Sequence, residues 1–207
     1  MIEDCTGLIL AGGDSRRMGR DKANLLLGEQ TLLLRVANVL QCSFPRVVAS
    51  VRQPHSEISF PQVCDDPAFA GPLAGLAAGL ASVSTPWVFA VACDMPFLTQ
   101  PVIERLAGHR SGYQAVVPVV QGHLQPLAAF YAGSCLEVIR NQLAAGNSNS
   151  LRAVLKELQV CYVGEAEMRE ADPTLRSFFD LDTPDELAEA EKVIRIHNAG
   201  VSDRNGQ

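Results

Sequence analysis

Residues 5–22 read CTGLILAGGDSRRMGRDK, an apolar run that ends in a glycine pair and is followed by a cluster of cations. The apolar run from Cys5 to Ala11 has the length and composition of a buried strand that enters a loop. The glycines allow the backbone of this loop to approach a ligand closely and to turn its N–H groups inward, which makes a concavity for an anion. The cations follow within a few residues: Arg16, Arg17, Arg20 and Lys22. We therefore expect this loop to bind phosphate.

Two common phosphate-binding patterns are absent from the loop. The pattern G-x-x-x-x-G-K-[ST] fails because Arg17 and Met18 stand where its second glycine would be. The dinucleotide pattern G-x-G-x-x-G fails because Asp14 occupies its second glycine position. The alternative interpretation is a glycine-rich turn with solvated arginines. The buried strand before the loop and the cations after it favour the phosphate-binding interpretation.

Strands and helices alternate along the rest of the chain. Apolar or β-branched runs predict further strands at 46–51, 87–93, 114–120, 126–131 and 160–164. Helical periodicity follows the N-caps Thr31 and Thr99, begins again at 71, 135 and 150, and ends with a capping box at Thr183. Such alternation predicts a three-layer α/β fold, Rossmann-like, with a mostly parallel sheet and helices on both faces. We expect one domain over residues 1–197 and a disordered tail over 198–207.

Composition excludes several classes of partner. The formal net charge is −6 and the isoelectric point is near 5.2, which argues against nucleic acid or an anionic membrane as the main partner. The six cysteines contain no C-x-x-C pair, so free thiols in a reducing cytosol are favoured over a disulfide framework. The acidic start does not resemble a signal peptide, and no stretch approaches the roughly 18 apolar residues of a membrane span. We predict a cytoplasmic protein that binds neither nucleic acid nor membrane.

The chain resembles the molybdenum cofactor guanylyltransferases, within the larger group of GT-A-type nucleotidyltransferases. Residues 10–22 match every fixed position of that family's signature, L-A-G-G-x-S-x-R-M-G-x-D-K. Later motifs of the family follow in the same order, and the resemblance spans roughly residues 6–196. They are Asp65 with Gly71-Pro72-Leu73-Ala74-Gly75, Cys93-Asp94-Met95-Pro96, Gln125-Pro126-Leu127 and Asp182-Thr183-Pro184.

The resemblance implies a reaction and a set of site residues. The reaction is the transfer of GMP from Mg·GTP to the terminal phosphate of molybdenum-bound molybdopterin, with transient contact to molybdoenzymes or their chaperones. The implied catalytic groups are Lys22, Arg17 and Asp94, and the implied Mg²⁺ ligands are Asp94 and Asp182. The implied nucleotide contacts are Leu10, Ala11, Gly12, Gly13, Lys22, Asp65 and Asp94.

Three aspartates have a second interpretation. From spacing alone, Asp94 is equally a magnesium ligand at the end of a central strand or the cap of the following turn. The resemblance favours the metal ligand. Asp182 is a second metal ligand or a helix-start acid favoured by the helix dipole. The nucleotide contact assigned to Asp65 could belong to its neighbour Asp66.

Two departures from the family pattern leave alternatives open. Val51 stands where family members often carry an asparagine that contacts guanine, and Asp180-Leu181-Asp182 replaces a common Asn-x-Asn. A related enzyme that uses CTP or another phosphorylated acceptor therefore stays a candidate, as does a non-catalytic protein that binds and delivers the cofactor. His123 is expected to be a polar loop residue, since a phosphate nucleophile is already ionised and needs no general base.

Overall fold

Strands and helices alternate in the computed structural model, which describes residues 1–12, 22–56, 58–69, 71–146 and 150–202. In this part of the chain the strands are β1 (Cys5–Leu10), β2 (Leu26–Leu27), β3 (Gln30–Thr31), β4 (Arg46–Val51), β5 (Gln62–Cys64), β6 (Trp87–Ala92), β7 (Ala115–Val120), β8 (His123–Leu124), β9 (Ala128–Ala132) and β10 (Val160–Val163). The helices are α1 (Leu32–Ser43), α2 (Pro72–Ser82), α3 (Gln100–Ala107), α4 (Cys135–Ala145), α5 (Leu151–Leu155), α6 (Glu165–Ala171) and α7 (Pro184–Ser202). Short 3₁₀ turns occur at Lys22–Asn24 and Arg176–Phe178.

The main sheet has the strand order β10-β7-β9-β6-β1-β4-β5, with β8 paired to β7. All neighbours in this order are parallel except β9, which runs antiparallel to both β6 and β7. β1 lies between β6 and β4, with Leu8 aligned to Ala90 on one side and to Val48 on the other. The expected mostly parallel sheet is confirmed.

Helices cover both faces of this sheet. Alternate side chains of β1 divide between two hydrophobic clusters, because successive residues of a strand point to opposite faces. Ile9 packs in a cluster that includes residues of α1, α3 and α6. Leu8 and Leu10 pack in a second cluster with residues of α2, α4 and α5. The predicted three-layer α/β fold is therefore confirmed.

Two of the predicted helix starts are confirmed by their caps. Thr31 Oγ1 accepts from the backbone N–H of Leu34 at 3.2 Å and caps α1. Thr183 and Glu186 form the reciprocal capping box, in which Thr183 Oγ1 accepts from Glu186 N at 3.2 Å and Glu186 Oε2 accepts from Thr183 N at 2.7 Å. Thr99 precedes α3, but its hydroxyl pairs with Ser177 Oγ at 3.2 Å and makes no capping hydrogen bond to the backbone of the helix.

Helix α7 extends past the predicted C-terminal boundary. It continues to Ser202, beyond the boundary placed at residue 197, and the division into one domain and a disordered tail stays a prediction. The acidic first turn and the cap fix where a helix starts, whereas a polar end carries no strong stop signal. Residues 203–207 of the predicted tail lie outside the described residues. Helix α6 was not predicted, since it is short and buries only Met168.

The topology brings the ends of four parallel strands to one edge of the sheet. β1, β4, β5 and β6 are neighbours and run in the same direction, so their carboxyl ends lie side by side. In open α/β sheets ligands bind in the crevice outside this edge. Among the described residues, no helix is both long and apolar enough to cross a membrane.

Candidate active site

A cavity of about 570 Å³ opens at the carboxyl edge of the sheet. One wall is made by the residues that follow the parallel strands: Leu10 to Gly12 after β1, Ser50 on β4, Asp65 after β5 and Asp94 after β6. The cavity is also lined by β8, the Gln125-Pro126-Leu127 segment and Arg152 of α5. Asp180 and Asp182, which precede α7, complete the lining, and Leu181 between them bonds to the backbone of Asp94. The motifs that are separated in the sequence therefore face one cavity.

Lys22 lies between two carboxylates in this cavity. Its Nζ donates to Asp94 Oδ2 at 2.7 Å and to Asp182 Oδ1 at 2.5 Å. The side chains of Lys22 and Asp94 are only 16% and 17% exposed, whereas Asp182 is 49% exposed. Lys22 was expected to contact phosphate and the two aspartates to hold a metal. In this structure the three groups contact one another directly.

The backbone fixes the relative position of the two carboxylates. Leu181 N donates to Asp94 O at 3.0 Å, which attaches the segment before α7 to the turn after β6. The Leu181 side chain is fully buried in a small cluster with Leu27, Leu32 and Ala190. Asp182 N donates to Glu186 Oε2 at 2.7 Å, so the capping box also holds the backbone of Asp182. The Asp182 carboxylate is directed to Lys22, and its role as a metal ligand stays a prediction.

The charges of the site shift the pKa of two groups. Burial disfavours the ammonium of Lys22, but hydrogen bonds to Asp182 and Asp94 outweigh burial and raise its pKa above the ordinary value for lysine. Desolvation, assisted by the negative charges of Asp94 and Asp182, raises the pKa of Asp180 to about 6, and Lys22 opposes this shift. Asp180 is reached by solvent through the open cavity, yet the surrounding protein atoms replace part of its hydration shell. Among the described residues, this part of the site therefore has three carboxylates, those of Asp94, Asp180 and Asp182, around the one ammonium of Lys22.

Asp65 lies at the other end of the same wall. Its Oδ1 accepts a hydrogen bond from Ser50 Oγ, and its backbone N–H donates to Val51 O at 3.1 Å. Burial raises the pKa of Asp65, while the Ser50 hydrogen bond and the charge of Arg52 lower it, and the net direction is upward. Asp66 is exposed, and its Oδ1 accepts from Ala68 N at 2.9 Å within its own turn. Of the two aspartates, Asp65 is the one that faces the cavity.

Two of the predicted site residues lie outside the described part of the chain. Gly13 and Arg17 lie outside the described residues, as do the other loop residues between Gly12 and Lys22. Val51, at the position where the family pattern places a guanine contact, is fully buried in the core beneath the cavity. The strand alternation turns Ser50 toward the cavity instead. The Val51 side chain therefore lies in the core and does not line the cavity.

Sequence reasoning missed Arg152, which adds a cation to the lining of the cavity. No signal in the sequence identifies it, because a single arginine on a five-residue helix is most often a solvated surface residue. His123 lines the same cavity, as a residue of β8.

The carboxylates fit a magnesium ion that is shared with a substrate. In the described ranges no group of three or more His, Cys, Asp or Glu side chains is arranged to hold a metal by itself. Mg²⁺ does not require such a group, since it is usually bound by one or two carboxylates together with substrate phosphates and water. Asp94 and Asp182 already share one cation, the Lys22 ammonium, at hydrogen-bonding distance. Their spacing therefore suits a second kind of cation at the same place.

Comparisons with known proteins agree with this geometry. The model of the MobA-like NTP transferase domain matches residues 7–161. A molybdenum cofactor guanylyltransferase of Desulfosudis oleivorans is 37% identical, over 94% of this chain and 98% of its own length. The crystal structure of molybdopterin-guanine dinucleotide biosynthesis protein A from Archaeoglobus fulgidus superposes with a TM-score of 0.82 at 27% identity, covering 92% of this chain and 98% of that one. A cytidylyltransferase of Thermus thermophilus, which acts on 2-C-methyl-D-erythritol 4-phosphate, shares the fold alone, with a TM-score of 0.66 at 19% identity over 91% of this chain and 98% of that one. The chain belongs to the family of MobA-like NTP transferases and is a nucleotidyltransferase.

Proposed function

We propose that this protein transfers GMP from Mg·GTP to the terminal phosphate of molybdenum-bound molybdopterin, forming the guanine dinucleotide cofactor and releasing pyrophosphate. The observation that carries the proposal is the meeting of Lys22, Asp94 and Asp182 beside the backbone of Gly12 in one cavity. The guanine and molybdopterin parts rest on the names of the relatives, which cover nearly the whole chain.

The triphosphate is proposed to lie between the start of the glycine loop and Lys22. The loop leaves β1 at Leu10, and Ala11 N donates to Ser50 O at 2.9 Å, which holds the loop against β4. Backbone N–H groups from Gly12 onward and the Lys22 ammonium would then contact the phosphate oxygens. Arg17 adds a cation in the proposed set. Removing one such donor typically lowers kcat by about 10²–10³.

Asp94 and Asp182 are the residues that would hold a magnesium ion at this site, next to the proposed place of the triphosphate. When bound, the ion would neutralise charge on the phosphate oxygens and on the leaving pyrophosphate. The two carboxylates would have to release Lys22 to take this role. The released ammonium lies at the end of the loop and can turn toward the phosphates, so one rearrangement serves both groups.

The chemical step follows from this arrangement. An oxygen of the acceptor phosphate attacks the α-phosphorus in line and forms a new P–O bond. The bond between the α-phosphorus and the oxygen that bridges to the β-phosphate breaks, and pyrophosphate leaves with that oxygen. The acceptor oxygen is already ionised, so no protein group has to remove a proton. Catalysis then consists of positioning and electrostatic stabilisation. Arg152, which also lines the cavity, is suited to contact the acceptor phosphate.

The test measures pyrophosphate release with each of the four nucleoside triphosphates, with and without molybdopterin. We expect release only with GTP, Mg²⁺ and molybdopterin together, and transfer of α-³²P label to the pterin product. Asp94→Asn should abolish release while its circular dichroism spectrum stays that of the parent. Asp66→Asn is the matched control, because Asp66 is adjacent to Asp65 but exposed and paired within its own turn.

Three results would contradict the proposal in different ways. Release with CTP in place of GTP would favour the cytidylyltransferase alternative. Release with a different phosphorylated acceptor would contradict the assignment of molybdopterin. Tight GTP binding without release, unaltered in Asp94→Asn, would favour a non-catalytic delivery protein. The cytoplasmic location and the transient contact with molybdoenzymes or their chaperones both stay predictions. The six free cysteines accord with the cytoplasmic location.

A further inference from the structure

A small hydrophobic cluster is separate from the two clusters that cover the faces of the main sheet. We call it the Leu181 cluster. Its buried members are Leu27, Leu32, Leu181 and Ala190, and the partly buried side chains that pack against it are Leu25, Phe97, Phe179, Leu187 and Ile194. The cluster combines residues of the hairpin of β2 and β3, the start of α1, the turn after β6 and helix α7.

The three charged residues that meet in the cavity all lie within three residues of this cluster in the chain. They are Lys22, Asp94 and Asp182, and their neighbours in the cluster are, in the same order, Leu25, Phe97 and Leu181. The packing of one cluster therefore constrains the backbone next to each charged residue.

Backbone hydrogen bonds attach Lys22 to the cluster. Leu25 N donates to Lys22 O at 3.1 Å, and Leu32 N donates to Leu25 O at 2.9 Å. Leu32 is fully buried in the cluster and is the first residue of α1. The segment that carries the ammonium is thus fixed to the first turn of a helix.

Leu181 attaches the carboxylates to the same cluster. Its N–H donates to Asp94 O at 3.0 Å, and its side chain is fully buried. The residues on either side of it, Asp180 and Asp182, line the cavity. The Asp182 side chain is 49% exposed, so contacts of its own constrain it less than its backbone does. The backbone that Leu181 anchors therefore sets where the Asp182 carboxylate lies.

We propose that Leu181 is a positioning residue of the active site, whose burial in the Leu181 cluster holds the Asp182 carboxylate against the Lys22 ammonium. Leu181 is fully buried, so it acts through Asp182 and not by contact with a substrate. A loss of packing at position 181 should loosen one charged contact without removing a charged group. Only the effect of this loss on turnover rests on the proposed function.

The reactivity of the Lys22 amine reports this contact without nucleotide or metal. The protein is treated with dilute acetic anhydride, and mass spectrometry follows the acetylation of Lys22 relative to that of the exposed Lys156. Leu181→Ala should raise the rate at Lys22 about tenfold, as expected when one hydrogen bond between charged groups is lost. Leu181→Met nearly conserves the side-chain volume and should keep a rate close to that of the parent.

Leu40→Ala is the matched control. Leu40 is equally buried, but it lies on α1 in another cluster, where its Cδ1 is 3.0 Å from a Cβ built on Gly7. Because the same atoms are removed from a core, Tm should fall by a similar amount in Leu40→Ala and Leu181→Ala. The rate at Lys22 should rise only in Leu181→Ala. In the Asp182→Asn background, Leu181→Ala should add little, because the carboxylate through which it acts is already absent.

Three results would overturn the positioning role. They are an unchanged rate at Lys22 in Leu181→Ala, an equal rise in Leu40→Ala, and additive rises in the Asp182→Asn background. Should Leu181→Ala not fold, Leu181→Val creates a smaller cavity and should give a smaller rise in the same direction.

Steady-state assays connect the inference to the proposed function. The Mg²⁺ concentration that gives half-maximal turnover with GTP should rise in Leu181→Ala and stay unchanged in Leu40→Ala. A parent protein without turnover would contradict the proposed function, whereas the acetylation rates at Lys22 would still decide the role of Leu181.

Discussion

Replacing Lys22 with methionine tests the shared cation site most sharply. The substitution keeps a long apolar side chain and removes the ammonium that now separates Asp94 from Asp182. In the ligand-free protein the two carboxylates then face each other without the ammonium. The variant should therefore be less stable than the parent and should respond more strongly to magnesium.

The burial of the three groups sets the size of the effect. Breaking a fully buried ion pair costs about 3–5 kcal/mol, and losing an exposed pair costs about 0.2–1 kcal/mol. Lys22 and Asp94 are mostly buried but Asp182 is half exposed, so we expect a loss of about 2 kcal/mol, between the two limits. For a domain of this length that loss lowers Tm by about 4–8 °C.

Magnesium should reverse most of this loss. In the variant the ion can bind between the two carboxylates without competing with an ammonium. A ligand at a hundred times its Kd stabilises the folded protein by about 2.7 kcal/mol. In the parent, free Mg²⁺ must compete with Lys22, so the gain in Tm should be smaller. Turnover with GTP should nevertheless fall by about 10²–10³, since the phosphates lose a donor.

Thermal unfolding followed by circular dichroism, with and without MgCl₂, measures both effects. Mn²⁺ titration calorimetry without nucleotide gives the affinity of the free site. Lys156→Met, at an exposed lysine that does not line the cavity, is the control and should change neither Tm nor the response to metal. A Lys22→Met protein that is as stable as the parent and gains no more from Mg²⁺ would refute the shared site.

Three further predictions concern stability. Asp172 is buried, and although burial raises its pKa, the three hydrogen bonds that it accepts from the following turn lower the pKa overall. Asp172→Asn should therefore destabilise by about 1–2 kcal/mol at pH 7, and urea titrations should show the difference shrinking as the pH falls below about 4. The raised pKa of Asp180, about 6, has the opposite sign. Asp180→Asn should raise the Tm of the ligand-free protein at pH 7 but not at pH 4, and an unchanged Tm at pH 7 would contradict the shift. Gly79→Ala should cost about 1–3 kcal/mol in urea titrations, because its Cβ would overlap the side chain of Leu8, whereas Gly133→Ala meets only an ordinary contact.

Most of the fold follows from local patterns in the sequence. The apolar run before Gly12 forms the central strand β1, and the capping box of Thr183 and Glu186 starts the last helix, α7. These signals are local, since each depends on a few adjacent residues. The antiparallel direction of β9 and the short helix α6 depend on long-range packing, and no adjacent residues specify them.

The sequence predicted which residues form the candidate site, but not which of them contact one another. The sequence identified Lys22, Asp94, Asp182 and Asp65 as site residues, and all four line one cavity. It assigned Lys22, Asp65 and Asp94 to the nucleotide and Asp94 and Asp182 to Mg²⁺, but not the direct contact of Lys22 with both carboxylates, because spacing along the chain does not reveal which charges meet. Ser50 was not identified either, since a serine within an apolar strand carries no signal until the neighbouring strand brings an aspartate beside it.

The most direct test is a crystal structure with Mg²⁺ and a GTP analogue that cannot be cleaved at the α-phosphorus. The account predicts one metal ion on Asp94 and Asp182, bridged to the triphosphate, with the Lys22 ammonium moved from the carboxylates to the phosphates. The nucleotide should also contact Asp65. A triphosphate bound elsewhere, or a Lys22 that still bridges the two aspartates while the nucleotide and metal are bound, would contradict it.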